Sequence, residues 1–204
     1  MQPVPATDFS DAERDRIVEA TFQCLAEPHE APLPVSAILA HAEVSGRAFY
    51  RHFQSKDDLF LAMLDQVTER IVGALDEIAI AGSPDPLEQL RAWLEKMFTL
   101  ASDTDLHRYL AVLDCDEMRS AKGYREAREL SRTRREASLA TILRAGQAAG
   151  AFPLAQPESD AIAIVALVSR ELTSARIFDP AQIRLSRARV EGFAVRALGV
   201  VDKA

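Results

Sequence analysis

The stretch AEVSGRAFYRHFQSKDDL, from Ala42 to Leu59, decides the fold of this 204-residue chain. Val44, Phe49 and Phe53 are apolar at helical spacing, so one face of a short helix is anchored to whatever precedes it. Gly46, Arg47, Ala48, Tyr50, Arg51 and His52 are then expected on the outer faces. Arg47 and Arg51 stand one turn apart, and arginine reaches a guanine edge or a phosphate through two parallel hydrogen bonds. Gly46 and Ala48 are small enough for the backbone to approach base edges closely. Ser45, Tyr50 and His52 suit phosphate contacts, as does Lys56 at the start of the next helix, beside free backbone N–H groups. The block from Val44 to Lys56 contains no carboxylate, although the chain carries a net charge of −7. Such a local exception is the electrostatic footprint of a nucleic-acid-binding element.

The pattern extends outward in both directions. Upstream, Ser10 and Glu13 form a capping-box pair, after which Ile17, Ala20, Cys24 and Leu25 recur at helical spacing. Three prolines between Glu27 and Pro34 break that helix, and a second short one runs from about Val35 to His41. Three short helices with a tight turn before a basic third describe a helix-turn-helix unit. Downstream, Ser55 caps a long helix starting at Lys56, with Asp57 and Asp58 at its positive end. Ser83-Pro84-Asp85-Pro86, Pro157 and Asp179-Pro180 mark later helix starts, and Gly150 an end. No period-two run bounded by hairpin turns occurs. The expectation is an all-α protein of about nine helices. Residues 10–56 are expected to form the helix-turn-helix domain, with a motif core at 34–53, and 57–204 a larger helical domain.

Composition narrows the class. An acidic chain binds DNA only through a local basic patch. Cys24 and Cys115 are far apart and lack metal-type pairing, so free thiols in a reducing compartment are expected. The N-terminus has no basic and apolar signal-peptide pattern, and no apolar stretch is long enough to span a bilayer. A cytoplasmic location follows as the expectation.

The ordered set Ile17, Ala20, Val35, Ile38, Ala42, Val44-Ser45, Ala48-Phe49-Tyr50, His52-Phe53, Ser55-Lys56 and Leu59 closely resembles the head of the TetR family of bacterial transcriptional regulators. Two departures stand out. Glu43 occupies a turn position where the family usually has glycine, and Leu33-Pro34 replaces the usual threonine before the second helix. Glutamate in a left-handed turn costs on the order of 1 kcal/mol relative to glycine. The resemblance implies a homodimeric repressor on a pseudo-palindromic double-stranded DNA operator, released by a small-molecule effector bound in the C-terminal domain.

The residues beyond Leu59 give that implication some content. Ile162, Val165, Val168 and Leu172, then Val190, Phe193, Ala194, Ala197 and Leu198, stripe two terminal helices that suit a two-fold four-helix bundle. Leu90, Trp93 and Met97 with Tyr109, Leu113, Met118 and Tyr124 form an aromatic, apolar set suited to a hydrophobic or aromatic effector. Arg119 to Arg135 holds seven basic residues, read as a solvated face or as the seat of an anionic ligand. Asp103, Asp105 and His107, or Asp114, Asp116 and Glu117, are better read as helix ends than as a metal or acid–base site. No catalytic residue, metal or cofactor is assigned. Two alternatives remain open: an activator or global DNA-binding regulator without inducer, and a protein-partner module that has lost DNA binding.

Overall fold

The computed structural model describes residues 6–27, 32–81, 83–174 and 179–200, and all ten of its regular elements are α-helices. In chain order they are α1 (Ala6–Ala26), α2 (Val35–Ala42), α3 (Gly46–His52), α4 (Lys56–Ala81) and α5 (Pro86–Ser102). There follow α6 (Thr104–Leu113), α7 (Asp116–Arg119), α8 (Tyr124–Ala148), α9 (Pro157–Ser174) and α10 (Pro180–Ala197). The helix that sequence reading did not count is α7, a single turn too short to leave a periodic stripe. Helix α1 starts four residues before Ser10, so the Ser10–Glu13 pair does not mark its beginning. Part of the proline-rich break, with His29, lies outside the described residues.

The chain forms two compact units, residues 1–67 with 108–128, and residues 68–107 with 129–204. In the first, α1 packs on α2 and α3. Ile17, Ile38, Phe49, Phe53, Phe60 and Met63 are essentially withdrawn from water. Each such side chain contributes about 1.5–3 kcal/mol of transfer free energy. Leu113 and Met118 are buried in the same unit. The Tyr109 ring meets Phe22 edge-on at 4.3 Å between centroids, and its hydroxyl donates to Glu19 Oε2 at 2.7 Å.

The second unit is built on α5, α9 and α10, with the end of α4 and most of α8. Its interior holds Leu75, Leu90, Trp93, Leu143, Phe152 and Val165. Trp93 Nε1 donates to the buried Ser138 hydroxyl at 3.3 Å, and Thr68 Oγ1 to Ser131 Oγ at 3.0 Å. Every buried side-chain polar atom among the described residues has a partner. Asp85 and Asp179 cap α5 and α10 through the amides of Leu87 and Ala181, each with proline next, as the sequence predicts. Helix α8 ends in a turn with Gly150 at φ 73°, which returns Phe152 onto Gly146. That return accounts for the glycine at 146: a methyl group there would sit 2.0 Å from the Phe152 ring.

This packing corrects the expected dimer stripe. Val165, Val168, Val190, Ala194 and Leu198 are fully buried within their own chain and have no surface to offer a partner. Periodicity locates an apolar face but does not say whose core it enters. Of the nine residues, Ile162 (49% exposed) and Phe193 (40%) face outward, with Leu172 and Ala197 half-buried. Ala163, Ala166, Leu185 and Ala188 are exposed on the same two helices.

Candidate nucleic-acid interface

The turn between α2 and α3 is made by Glu43, whose backbone is left-handed at φ 53°, ψ 44°. It is the sole non-glycine residue with positive φ among those described. The Val44 amide reaches back to the Leu39 carbonyl at 3.1 Å, closing α2 with the six-residue loop typical of a left-handed C-terminus. The expected strain at Glu43 is therefore present. Pro34 starts α2 without a side-chain cap; its carbonyl accepts from Ala37 and Ile38.

Ser45 then starts α3, its hydroxyl accepting from the Ala48 amide at 3.2 Å. Phe49 and Phe53, ring centroids 5.7 Å apart, fix the inner face, and the Arg14 guanidinium lies 5.5 Å over the Phe53 ring. Ser55 caps α4 as expected, accepting from Asp58 N at 3.1 Å, while the Asp58 carboxylate accepts from Gln54 N at 3.0 Å. The starts of α3 and α4 are thus each set by short local hydrogen bonds.

The outward face of α3 is narrower than the sequence implies. Arg47, Tyr50 (64% exposed) and Arg51 form it, one turn of side chains at i, i+3 and i+4, with Ser45 exposed at the start. Gly46 is half-buried beside Leu39. Ala48 and His52 are corrected: both lie on the inner stripe with Phe49, where four-residue spacing puts them. Only 6% of the His52 side chain is exposed, and its Nε2 lies 2.7 Å from Glu13 Oε1. The same carboxylate oxygen accepts from Arg51 Nη2 at 2.5 Å. Those two hydrogen bonds, His52 first, hold the Glu13 carboxyl below the ordinary carboxylate range.

Lys56 is also engaged. Its ammonium donates to Glu117 Oε1 at 2.6 Å and to the Leu33 carbonyl at 3.0 Å, and lies 5.5 Å over the Phe60 ring. Local spacing reads Glu13 as part of a cap and Glu117 as a helix end, because their partners lie 38 to 84 residues away and leave no local signal.

The expected effector residues divide between the units. Leu90, Trp93 and Met97 pack in the interior of the second. Tyr109, Leu113, Met118 and Tyr124 belong to the first, where the Tyr124 hydroxyl donates to the Leu113 carbonyl at 2.9 Å. Three of the seven basic residues form ion pairs: Arg119 with Asp114, Arg132 with Glu129 and Glu136, and Arg134 with Glu69. Asp103 caps α6 through the Leu106 amide at 2.7 Å. Among the described residues no three His, Cys, Asp or Glu side chains converge as metal ligands. Cys24 and Cys115 are free and half-buried, and burial pushes the Cys24 thiol up. No described helix is long and apolar enough to cross a membrane.

A capped, phenylalanine-anchored helix presenting two arginines and a tyrosine beside a tight turn defines a helix-turn-helix protein with a helical body. Residues 17–63 match the family model for bacterial regulatory proteins, tetR family. The head of the chain, residues 17–63, is thus similar to the DNA-binding head of the TetR-family regulators. The chain is 26% identical over 141 residues to the HTH-type transcriptional repressor Rv1474c of Mycobacterium tuberculosis, covering 62% of this chain and 75% of that one. Its fold is shared with a TetR transcription regulator from Haloarcula marismortui (TM-score 0.72, 23% identity, 91% and 98% of the two chains). It is shared equally with SmeT in its triclosan complex (TM-score 0.74, 21% identity, 91% of each chain).

Proposed function

We propose that the chain is a homodimeric repressor that reads a pseudo-palindromic operator with α3 and leaves it when a small molecule binds the C-terminal body. The observation that carries the proposal is the exposed trio Arg47, Tyr50 and Arg51 on a helix held by local caps and two buried phenylalanines. Arg47 has the clearest access and is assigned to a base edge; Tyr50 and Ser45 are assigned to phosphate, with Arg51 beside them. Gly46 allows close approach. Ala48 and His52 support the helix from behind, and Lys56, at the start of α4, is assigned to phosphate. The division of labour is a reading head at 10–56 and an effector and dimer body at 57–204.

Dimerisation is assigned to the outer faces of α9 and α10, through Ile162, Phe193, Leu185 and the exposed alanines between them. Small residues there allow close helix approach in a two-fold bundle. The effector is proposed to be a mostly apolar molecule. The SmeT–triclosan complex supports that class, as does an open groove of about 480 Å³ in the second unit. Pro180 and Ile183 line it above the buried Phe98, with Thr99 and Ser102 and the charged Glu95, Arg184 and Arg187 around them. Release requires different effector affinity for two dimer geometries, not occupancy alone.

Genome-wide footprinting tests the reading. One or a few protected palindromes, lost when a triclosan-class compound is added, is the expected result. Many sites insensitive to any compound would favour a global regulator, and no sites at all a protein-partner module.

A further inference from the structure

Glu13 lies on α1, outside the 34–53 motif core, yet it holds the far end of the reading helix. One carboxylate oxygen, Oε1, accepts from Arg51 Nη2 at 2.5 Å and from His52 Nε2 at 2.7 Å. An ionised carboxylate only accepts, so His52 Nε2 carries the hydrogen. The next residue of α1 docks at the same end of α3, with the Arg14 guanidinium 5.5 Å over the Phe53 ring. Ile17 and Val18, one turn further on, are buried. The carboxylate is therefore a fixed point, within one compact unit with α3.

What it fixes is the arginine. The Arg51 side chain is 61% exposed, against 21% for Glu13 and 6% for His52. A guanidinium is planar and carries five N–H groups in a rigid fork. Nη2 is the nitrogen engaged, so the fork keeps donors for a phosphate while its plane is held. Two effects of the carboxylate on DNA binding oppose each other. Its negative charge repels DNA, but a guanidinium sits against it and salt screens the remainder within about 10 Å, leaving about two- to threefold in affinity. An unheld arginine would instead lose its rotamer freedom on binding, which weakens association by about two- to tenfold. Holding outweighs repulsion, and Arg51 need not leave Glu13 to meet a phosphate.

We propose that Glu13 is a positioning residue for DNA recognition, which pre-orients the Arg51 guanidinium toward a phosphate flanking the groove that α3 enters. This rests on the assignment of α3 to DNA and extends the reading head onto α1. The two arginines of the exposed trio then differ in kind. Arg47, at the start of the helix, is left to adjust to a base edge, whereas Arg51, at its end, presents a directed fork.

A double-mutant cycle tests this, by fluorescence anisotropy on the full chain with a palindromic duplex recovered by footprinting. In the wild-type background Glu13→Ala is expected to weaken binding about threefold. In the Arg51→Ala background the same change is expected to tighten it about two- to threefold, because only the repulsion is left to remove. Tightening in both backgrounds would overturn the proposal, since Glu13 would then only repel DNA or compete for Arg51. Equal weakening in both would also overturn it, by making Glu13 a support of the fold through His52. The slope of log affinity against log salt is expected to lose about 0.9 of its magnitude in Arg51→Ala and to keep it in Glu13→Ala. An unchanged slope in Arg51→Ala would remove Arg51 from phosphate and the proposal with it. Thermal unfolding reports whether each variant folds, and Glu13→Met, equally long but without an oxygen, repeats the cycle if alanine does not. Wild-type affinity in Arg47→Ala with Tyr50→Ala would instead sink the reading of DNA by α3, and the positioning role with it.

Discussion

Replacing Glu43 by glycine should stabilise this protein and tighten its hold on DNA, for two separable reasons. The residue is held at φ 53°, ψ 44°, where a Cβ crowds the following carbonyl. That crowding costs about 1–2 kcal/mol for an L-residue. Glycine removes the cost but adds about 0.5–1 kcal/mol of conformational entropy to the unfolded chain. The balance favours Glu43→Gly by about 0.5–1 kcal/mol, a rise in Tm of about 1–4 °C for a chain of this length. Calorimetry of Glu43→Gly against Glu43→Ala isolates the backbone contribution, since alanine removes the charge and keeps the Cβ. Glu43→Asn should fall between them, because asparagine tolerates the left-handed region. The exposed carboxylate also sits at the lip of the proposed interface. At separations near a Debye length, its removal should tighten binding only about two- to threefold, equally in Glu43→Gly and Glu43→Gln. The reasoning fails if Glu43→Gly melts no higher than wild type, or if Glu43→Ala matches it.

Gly146→Ala sets helix propensity, worth up to about 1 kcal/mol in favour of alanine, against a methyl placed 2.0 Å from the fully buried Phe152 ring. Overpacking should win, lowering stability by about 1–3 kcal/mol; a Tm equal to or above wild type would show that Phe152 relocates freely. Acid should weaken the head through Glu13, whose carboxyl is held below its ordinary value of 4.5 by His52 and then Arg51. A carboxyl that is more acidic folded than unfolded contributes stability present above the ordinary value and lost as pH falls through the folded one. The Tm of Glu13→Gln should therefore decline less than that of wild type between about pH 5 and pH 3, and parallel curves would remove the pair from the account. Ile162→Arg combined with Phe193→Arg should yield a monomer by analytical ultracentrifugation at micromolar concentration with an unchanged helical spectrum. A persistent dimer would place the interface elsewhere.

What was legible in the sequence follows how far each signal reaches along the chain. Helix starts at Ser55, Asp85 and Asp179 are written in two to four adjacent residues, and the structure places their caps as read. The left-handed turn at Glu43 was likewise visible, as a glycine position filled by something else. Faces were harder. His52 looks like an outward polar residue until Glu13, 39 positions earlier, is found beside it. Lys56 reads as a phosphate ligand, and its pairing with Glu117, 61 positions later, leaves no mark in local spacing. For Val165 and Val190 the pattern gave the correct stripe and left its owner open, since burial against one's own core and against a partner select the same residue types. The stripe of Leu90, Trp93 and Met97 reads the same way: aromatic and sulfur-containing side chains suit a ligand pocket and a packed interior equally, and here they pack.

The central claim is that α3 reads DNA with its exposed trio, and the double variant Arg47→Ala with Tyr50→Ala tests it most directly. Both side chains are exposed, so the fold should be untouched and Tm should stay within about 2 °C of wild type. Losing one bidentate arginine contact and one phosphate contact should weaken binding to the footprinted palindrome by at least about 30-fold. Affinity within threefold of wild type, from a protein that melts normally, would contradict the assignment of α3 as the reading helix.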